Sequence, residues 1–383
     1  MNFVPPREFK PTTEHTAVLR ALPAPEPTPN REIYVAEREK ALAFSKVRRA
    51  NYERYLAAQR GEDVDYLPIK LDIENVSRCN FKCSMCVVSD WEKGRRSADL
   101  ALADFKRIID EQYGLVEIKL QGIGEPLMQG DDFFEMIRYA RANEIWVRTT
   151  TNASLLHLKD NYRKLIDSGV NEVQISVDGA DKSAFEAIRR GSVFEKVVAN
   201  CRLINGYCDE RGIIRTKSWT VVQRENAHQL PELVDLAAAL GFKHHVFSLE
   251  VNGWGDEAWT KRNADASVDR WLDPAELMTL IERGERRGIK VRFWNVSEKY
   301  EFGSTKTLCP WPFERAVVSS DLRVVPCCTI GNPDVYEIDG ITEEKSFSEI
   351  WHGDAFTAFR RSHLKGNVPA ACRNCYKTQS SLD

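Results

Sequence analysis

Short apolar or β-branched runs recur through the middle of the chain, at 69–73, 116–120, 145–150, 172–177, 218–222 and 245–249. Between them, at 102–112, 133–142, 159–167, 194–204 and 230–240, apolar positions return at the spacing of helices that bury one face. Six strand–helix units in about 180 residues predict an α/β protein with a parallel sheet, because parallel strands need crossover connections. The units can close into a partial (β/α)6 barrel, with functional loops at the C-terminal ends of the strands. Upstream, residues 1–30 contain seven prolines and read as an extended arm, and 31–60 have the spacing of an amphipathic helix that Gly61 would stop. Downstream, 251–270 read as a long loop carrying Trp254 and Trp259, suited to cover a site. A helix at 274–287 and a strand at 290–294 follow.

Composition narrows the function classes. The chain of 383 residues is 43% hydrophobic, enough for a substantial core. Its 54 basic and 57 acidic residues give a net charge of −3, which argues against a nucleic-acid binder. No apolar run is long enough to cross a membrane, and the N-terminal residues lack the layout of a signal peptide, so a cytoplasmic location is expected. Ten cysteines are many for such a chain, and eight fall in two groups. In a reducing compartment such grouping points to metal binding or chemistry rather than disulfides.

The first group is Cys79, Cys83 and Cys86, a C-x3-C-x2-C loop directly after the first predicted strand. Three thiolates leave one iron of a 4Fe–4S cluster open to a further ligand. The spacing by itself also allows zinc. Beyond the second strand lies Gly122-Ile123-Gly124-Glu125-Pro126, the third ends Thr149-Thr150-Thr151-Asn152, and the fourth carries Ser176-Val177-Asp178-Gly179 ahead of Arg189. Taken together these segments resemble the radical SAM superfamily. The resemblance implies that the cluster binds S-adenosylmethionine (SAM) and reduces it to a 5′-deoxyadenosyl radical. It also implies that Gly122, Gly124 and Glu125 contact the methionyl amine, that Thr151 and Asn152 lie beside the cofactor, and that Ser176 and Arg189 hold its ribose and carboxylate. An electron donor such as a flavodoxin or ferredoxin is implied as partner. Met85 stands where the family usually has an aromatic, and can fill the same apolar role.

The second group is Cys309, Cys327, Cys328, Cys372 and Cys375. Its layout resembles the SPASM and twitch modules of radical SAM enzymes. With the sequence given stopping eight residues after Cys375, it looks like the shorter twitch form with one auxiliary 4Fe–4S cluster. The expected ligands are Cys309, Cys327, Cys372 and Cys375, with Cys328 a small buried neighbour; Cys201 and Cys208 read as packing residues. The expected division is an arm and helix (1–66), a barrel (67–250), a connection (251–300) and a cluster module (301–383). A thiolate-saturated second cluster suits electron transfer. The expected reaction is therefore oxidation of a small hydroxyl-rich molecule such as a sugar or cyclitol, with Glu250, after the sixth strand, as proton acceptor. Three alternatives stay open: a sugar epimerase using Cys328 as hydrogen donor, a peptide-modifying enzyme, and a zinc-stabilised binding protein. The peptide reading lacks the N-terminal recognition domain of three strands and helices common in such enzymes.

Overall fold

The computed structural model describes residues 22, 30–92, 96, 98–295 and 298–377. The proline-rich arm, apart from Leu22, lies outside them. Among the described residues there are twelve strands: β1 (Lys70–Ile73), β2 (Lys82–Cys83), β3 (Glu117–Leu120), β4 (Trp146–Thr151), β5 (Glu172–Ser176), β6 (Arg189–Arg190), β7 (Thr216–Val221), β8 (His244–Ser248), β9 (Lys290–Trp294), β10 (Arg315–Val318), β11 (Arg323–Val325) and β12 (Asp339–Gly340). Ten form one sheet in the order β12-β11-β10-β1-β3-β4-β5-β7-β8-β9, and β2 pairs only with β6. The six expected strands are β1, β3, β4, β5, β7 and β8, all parallel. The wall does not stop there. β9 continues it beyond β8, so the strand expected at 290–294 is a seventh strand of the wall. On the other edge β10 runs parallel to β1, in the register Lys70↔Arg315 to Ile73↔Val318, and then turns antiparallel into β11. The second cysteine group is thereby built onto the barrel's first strand.

The strands alternate instead of being apolar throughout. Leu71, Ile73, Ile118, Leu120, Val147, Val173, Ile175, Phe247, Val291 and Phe293 face the helices and form the main core. The alternate positions face the lumen, because successive side chains in a strand point to opposite sides. These are Lys70 and Asp72, Glu117 and Lys119, Arg148 and Thr150, Glu172 and Gln174, Lys217 and Trp219, Arg292 and Trp294. A parallel sheet buried on both faces would read as continuous apolar sequence; here one face is a charged cavity wall.

The N-terminal ends of the strands are sealed. Residues 31–60 form two helices, α1 (Arg31–Phe44) and α2 (Lys46–Ala57), rather than one. The break falls at Ser45, whose extended backbone ends α1 and whose hydroxyl accepts from Arg48 N to cap α2. From α1, Tyr34 donates to Glu117 at 2.8 Å and packs edge-on against Trp146. Glu117 also meets Arg148 at 2.6 Å, and Lys217 meets Glu172 at 2.7 Å, so the charges at this end are paired within the protein. Among the described residues no helix is long and apolar enough to cross a membrane.

Candidate active site

At the opposite, open end the loop after β1 carries Cys79, Cys83 and Cys86. All three thiols are pushed up by burial, Cys79 and Cys86 to about 12, and each also feels the charge of neighbouring cysteines or acids. Thiols so buried stay protonated unless a metal centre takes them as thiolates. Among the described residues no three His, Cys, Asp or Glu side chains are close enough to grip a single metal ion. A four-iron cluster, with its irons at separate corners, accepts thiolates spaced more widely than one tetrahedral zinc does.

The glycines of the next loop have a steric purpose. A Cβ on Gly122 would lie 2.0 Å from the Glu74 side chain, and one on Gly124 would lie 2.5 Å from the carbonyls of Val76 and Arg78. The loop after β3 thus lies directly on the cysteine loop, and Glu125 N donates to Arg78 O at 3.0 Å. Glu125 is buried; its carboxylate accepts from Thr151 Oγ1 at 2.6 Å and from Asn152 N at 2.7 Å. Burial outweighs these bonds and raises the carboxyl to about 7. Asn152 Nδ2 reaches Asn80 at 3.0 Å and stands 3.9 Å from Cys79 Sγ. Gly122, Gly124, Glu125, Thr151 and Asn152 are therefore brought together around the first cysteine.

Arg189 joins from the other side. β2 and β6 form a two-residue antiparallel pair in which Cys83 opposes Arg189. The guanidinium is gripped by the wholly buried Asp178 at 2.5 Å, and Asp178 is held in turn by Val221 N at 2.8 Å. Ser176 sits buried at the last position of β5. The segment at 251–270 contains a helix, α3 (Glu257–Arg262), where only loop was expected. Its Trp259 packs with Val87, beside Cys86, and with Ile123, and Trp254 packs against the same cluster. This segment covers the cysteine loop.

The second group converges as well. Cys309, Cys327, Cys372 and Cys375 line one small cavity, together with Phe359 and His363. Burial raises Cys309 and Cys372 to about 12 and Cys375 to about 11. Tyr376 buttresses the cavity: its hydroxyl accepts from Cys309 N at 3.0 Å and bonds His363 at 2.7 Å. Four thiols around one space, those of Cys309 and Cys372 buried and those of Cys327 and Cys375 half-buried, suit a cluster held entirely by protein. Cys328 does not line that cavity. It is exposed rather than buried as expected. The space it faces is enclosed by protein: its thiol is raised by its bond to Cys327 and by burial, and feels Asp72 and Lys119 of the lumen wall. Glu250 follows β8, and its charge reaches Cys375.

Three participants were not found from sequence. Glu74 lies under Gly122, accepts from Ile123 N at 3.1 Å and from Ser320 N at 3.0 Å, and pairs with Arg96, so it ties both cysteine sites together. Asp178 positions Arg189. Asp72 is a buried lumen carboxylate whose pKa burial raises. The only advance signal was a carboxylate within or just after an apolar strand, and that signal is too common to select them.

A family model described as the radical SAM superfamily matches residues 75–237, and one described as an iron-sulfur cluster-binding domain, SPASM, matches 309–376. Mycofactocin maturase MftC of Mycolicibacterium smegmatis is 28% identical over 323 residues, 83% of this chain and 77% of that protein. PqqA peptide cyclase of Rhodopseudomonas palustris is 24% identical over 324 residues, 81% of this chain and 79% of that protein. Among solved structures, Streptococcus suis SuiB bound to precursor peptide SuiA has a TM-score of 0.60 at 18% identity, covering 83% of this chain and 70% of that one. That likeness is one of fold.

Proposed function

This chain belongs to the radical SAM superfamily and carries a SPASM iron–sulfur domain, and on that premise we propose that it modifies a peptide oxidatively in the charged lumen between its two cysteine sites. Its cofactors are SAM and a 4Fe–4S cluster, with auxiliary iron–sulfur binding in the SPASM part. Together SAM and the first cluster supply a 5′-deoxyadenosyl radical that can take a hydrogen atom from an unreactive C–H bond. Cys79, Cys83 and Cys86 hold that cluster. Glu125 offers a carboxylate to the methionyl amine, Ser176 and Arg189 hold the rest of SAM, and the Trp254–Trp259 segment excludes water. Cys309, Cys327, Cys372 and Cys375 would hold the auxiliary cluster, which would supply a one-electron acceptor beside the lumen. Glu250 and Asp72 are the carboxylates available for the accompanying proton.

The observation that carries the peptide reading is the sequence likeness to a peptide cyclase and a maturase, which runs through both the barrel and the SPASM part. It displaces the expectation of a sugar or cyclitol. That expectation leaned on a missing recognition domain, and the described residues ahead of β1 indeed form two helices and no strand; a peptide can enter the lumen without such a domain. The test is anaerobic turnover with SAM, reductant and a cell extract split by size, followed by mass spectrometry. A peptide that loses hydrogen in step with 5′-deoxyadenosine formation is expected. The same mass loss confined to sugars or other small polar molecules would overturn the peptide reading.

A further inference from the structure

The outer surface behind the first cysteine loop carries an arrangement that the lumen chemistry does not use. On the β2–β6 pair, one residue from the Cys83–Arg189 position, Lys82 stands directly opposite Arg190. Like charges facing each other across an antiparallel ladder are destabilising. Both side chains are exposed, and among the described residues neither has a carboxylate within ion-pair distance; the Arg190 guanidinium donates to Lys82 O at 3.1 Å. The two residues border a surface recess with Asn80, Ser89, Asp90 and Gly191. Asp90 does not neutralise them, since its carboxylate meets Arg262 at 2.6 Å. The recess therefore presents two uncompensated cations to solvent, immediately beside a cluster ligand in the chain.

We propose that this face is the docking site of a small acidic electron-carrier protein that reduces the first cluster. The inference rests on the reading of Cys79, Cys83 and Cys86 as a reducible cluster, and is independent of the substrate. Charge complementarity selects the partner: an acidic surface compensates the Lys82–Arg190 repulsion and is steered to it at long range. The site suits electron entry because Lys82 adjoins Cys83 in sequence, which shortens the path from a docked carrier. The step transfers one electron from the reduced carrier to the oxidised cluster, with no bond made or broken.

The experiment uses cluster-loaded protein and SAM and follows 5′-deoxyadenosine with two reductants, flavodoxin hydroquinone and reduced methyl viologen, a small cation that this patch cannot attract. The K82Q/R190Q double variant should lose roughly tenfold in the flavodoxin-driven rate at low salt, and most of the salt dependence of that rate. Its viologen-driven rate should match the wild type, and its thermal stability should be equal or slightly higher. A K82E/R190E variant should lower the flavodoxin-driven rate further. An unchanged flavodoxin-driven rate in the glutamine pair, or an equal fall with both reductants, would overturn the docking site. Absence of 5′-deoxyadenosine from wild-type protein with either reductant would instead sink the cluster reading itself.

Discussion

Cys83 and Arg189 oppose each other across a two-residue antiparallel pair, so the cysteine loop and the arginine loop are fixed by one piece of backbone. Ser84 N extends the contact by donating to Ile188 O at 2.8 Å. Asp178 completes it with the 2.5 Å grip on the guanidinium. Removing one partner from a buried ion pair leaves the other charge desolvated and uncompensated. Asp178→Asn is therefore expected to cost about 3 kcal/mol of stability and to weaken SAM binding. A urea midpoint lowered without a change in slope would report this, and an unchanged midpoint would contradict it.

Gly124 is the tightest backbone approach between the loops after β1 and β3, since a methyl there meets two carbonyl oxygens at 2.5 Å. Neither carbonyl can swing away as a side-chain tip could. Gly124→Ala should push the cysteine loop out of place, costing about 2 kcal/mol. It should also lower iron content to about half while sparing the cavity formed by Cys309, Cys327, Cys372 and Cys375. Full iron content in this variant would show that the close packing is dispensable.

Much of this site was legible in the sequence because its chemistry is local. The C-x3-C-x2-C loop and the Gly122–Pro126 turn each follow a strand, so placing the strands placed the motifs. What stayed hidden depends on contacts distant in sequence. Lys119 reads as a surface charge until β1, β3 and β4 are paired, and only then does it point into the lumen. Glu74 becomes a tie between the two sites only once β10 lies against β1 and brings Ser320 to it. Cys328 was expected to be buried because a thiol packs well; it is exposed, which depends on the turn after β11 and is invisible in a spacing pattern. The break at Ser45 was masked by good helix formers on both sides.

Glu125 gives the site a pH dependence with a definite sign. Its folded-state value of about 7 lies above its ordinary 4.5, so protonation favours the fold. This contribution is complete below about 4.5 and is lost as pH rises through about 7. On the proposed reading SAM binding runs the other way, because the N–H groups of the methionyl amine donate more strongly to the ionised carboxylate. Affinity for SAM should rise with pH by up to about tenfold per unit below 7 and level off above it. Glu125→Gln should bind weakly at every pH. A rising affinity that persists in this variant would assign the titration to another group.

The two adjacent cysteines at the β11 turn should behave differently. Two four-iron clusters correspond to about eight irons per chain. Cys327→Ser should lower that number to about four, whereas Cys328→Ser should leave it unchanged, since only Cys327 lines the cavity. Equal iron loss in the two variants would make Cys328 a ligand and change the account of the lumen.

The most direct measurement is 5′-deoxyadenosine production by anaerobically reconstituted protein given SAM and a chemical reductant. Wild-type protein should release 5′-deoxyadenosine and methionine. The variant with Cys79, Cys83 and Cys86 all changed to Ala should release neither, while keeping the roughly four irons of its second site. Undiminished 5′-deoxyadenosine from the triple variant would contradict the assignment of these three thiols as the site where SAM is cleaved.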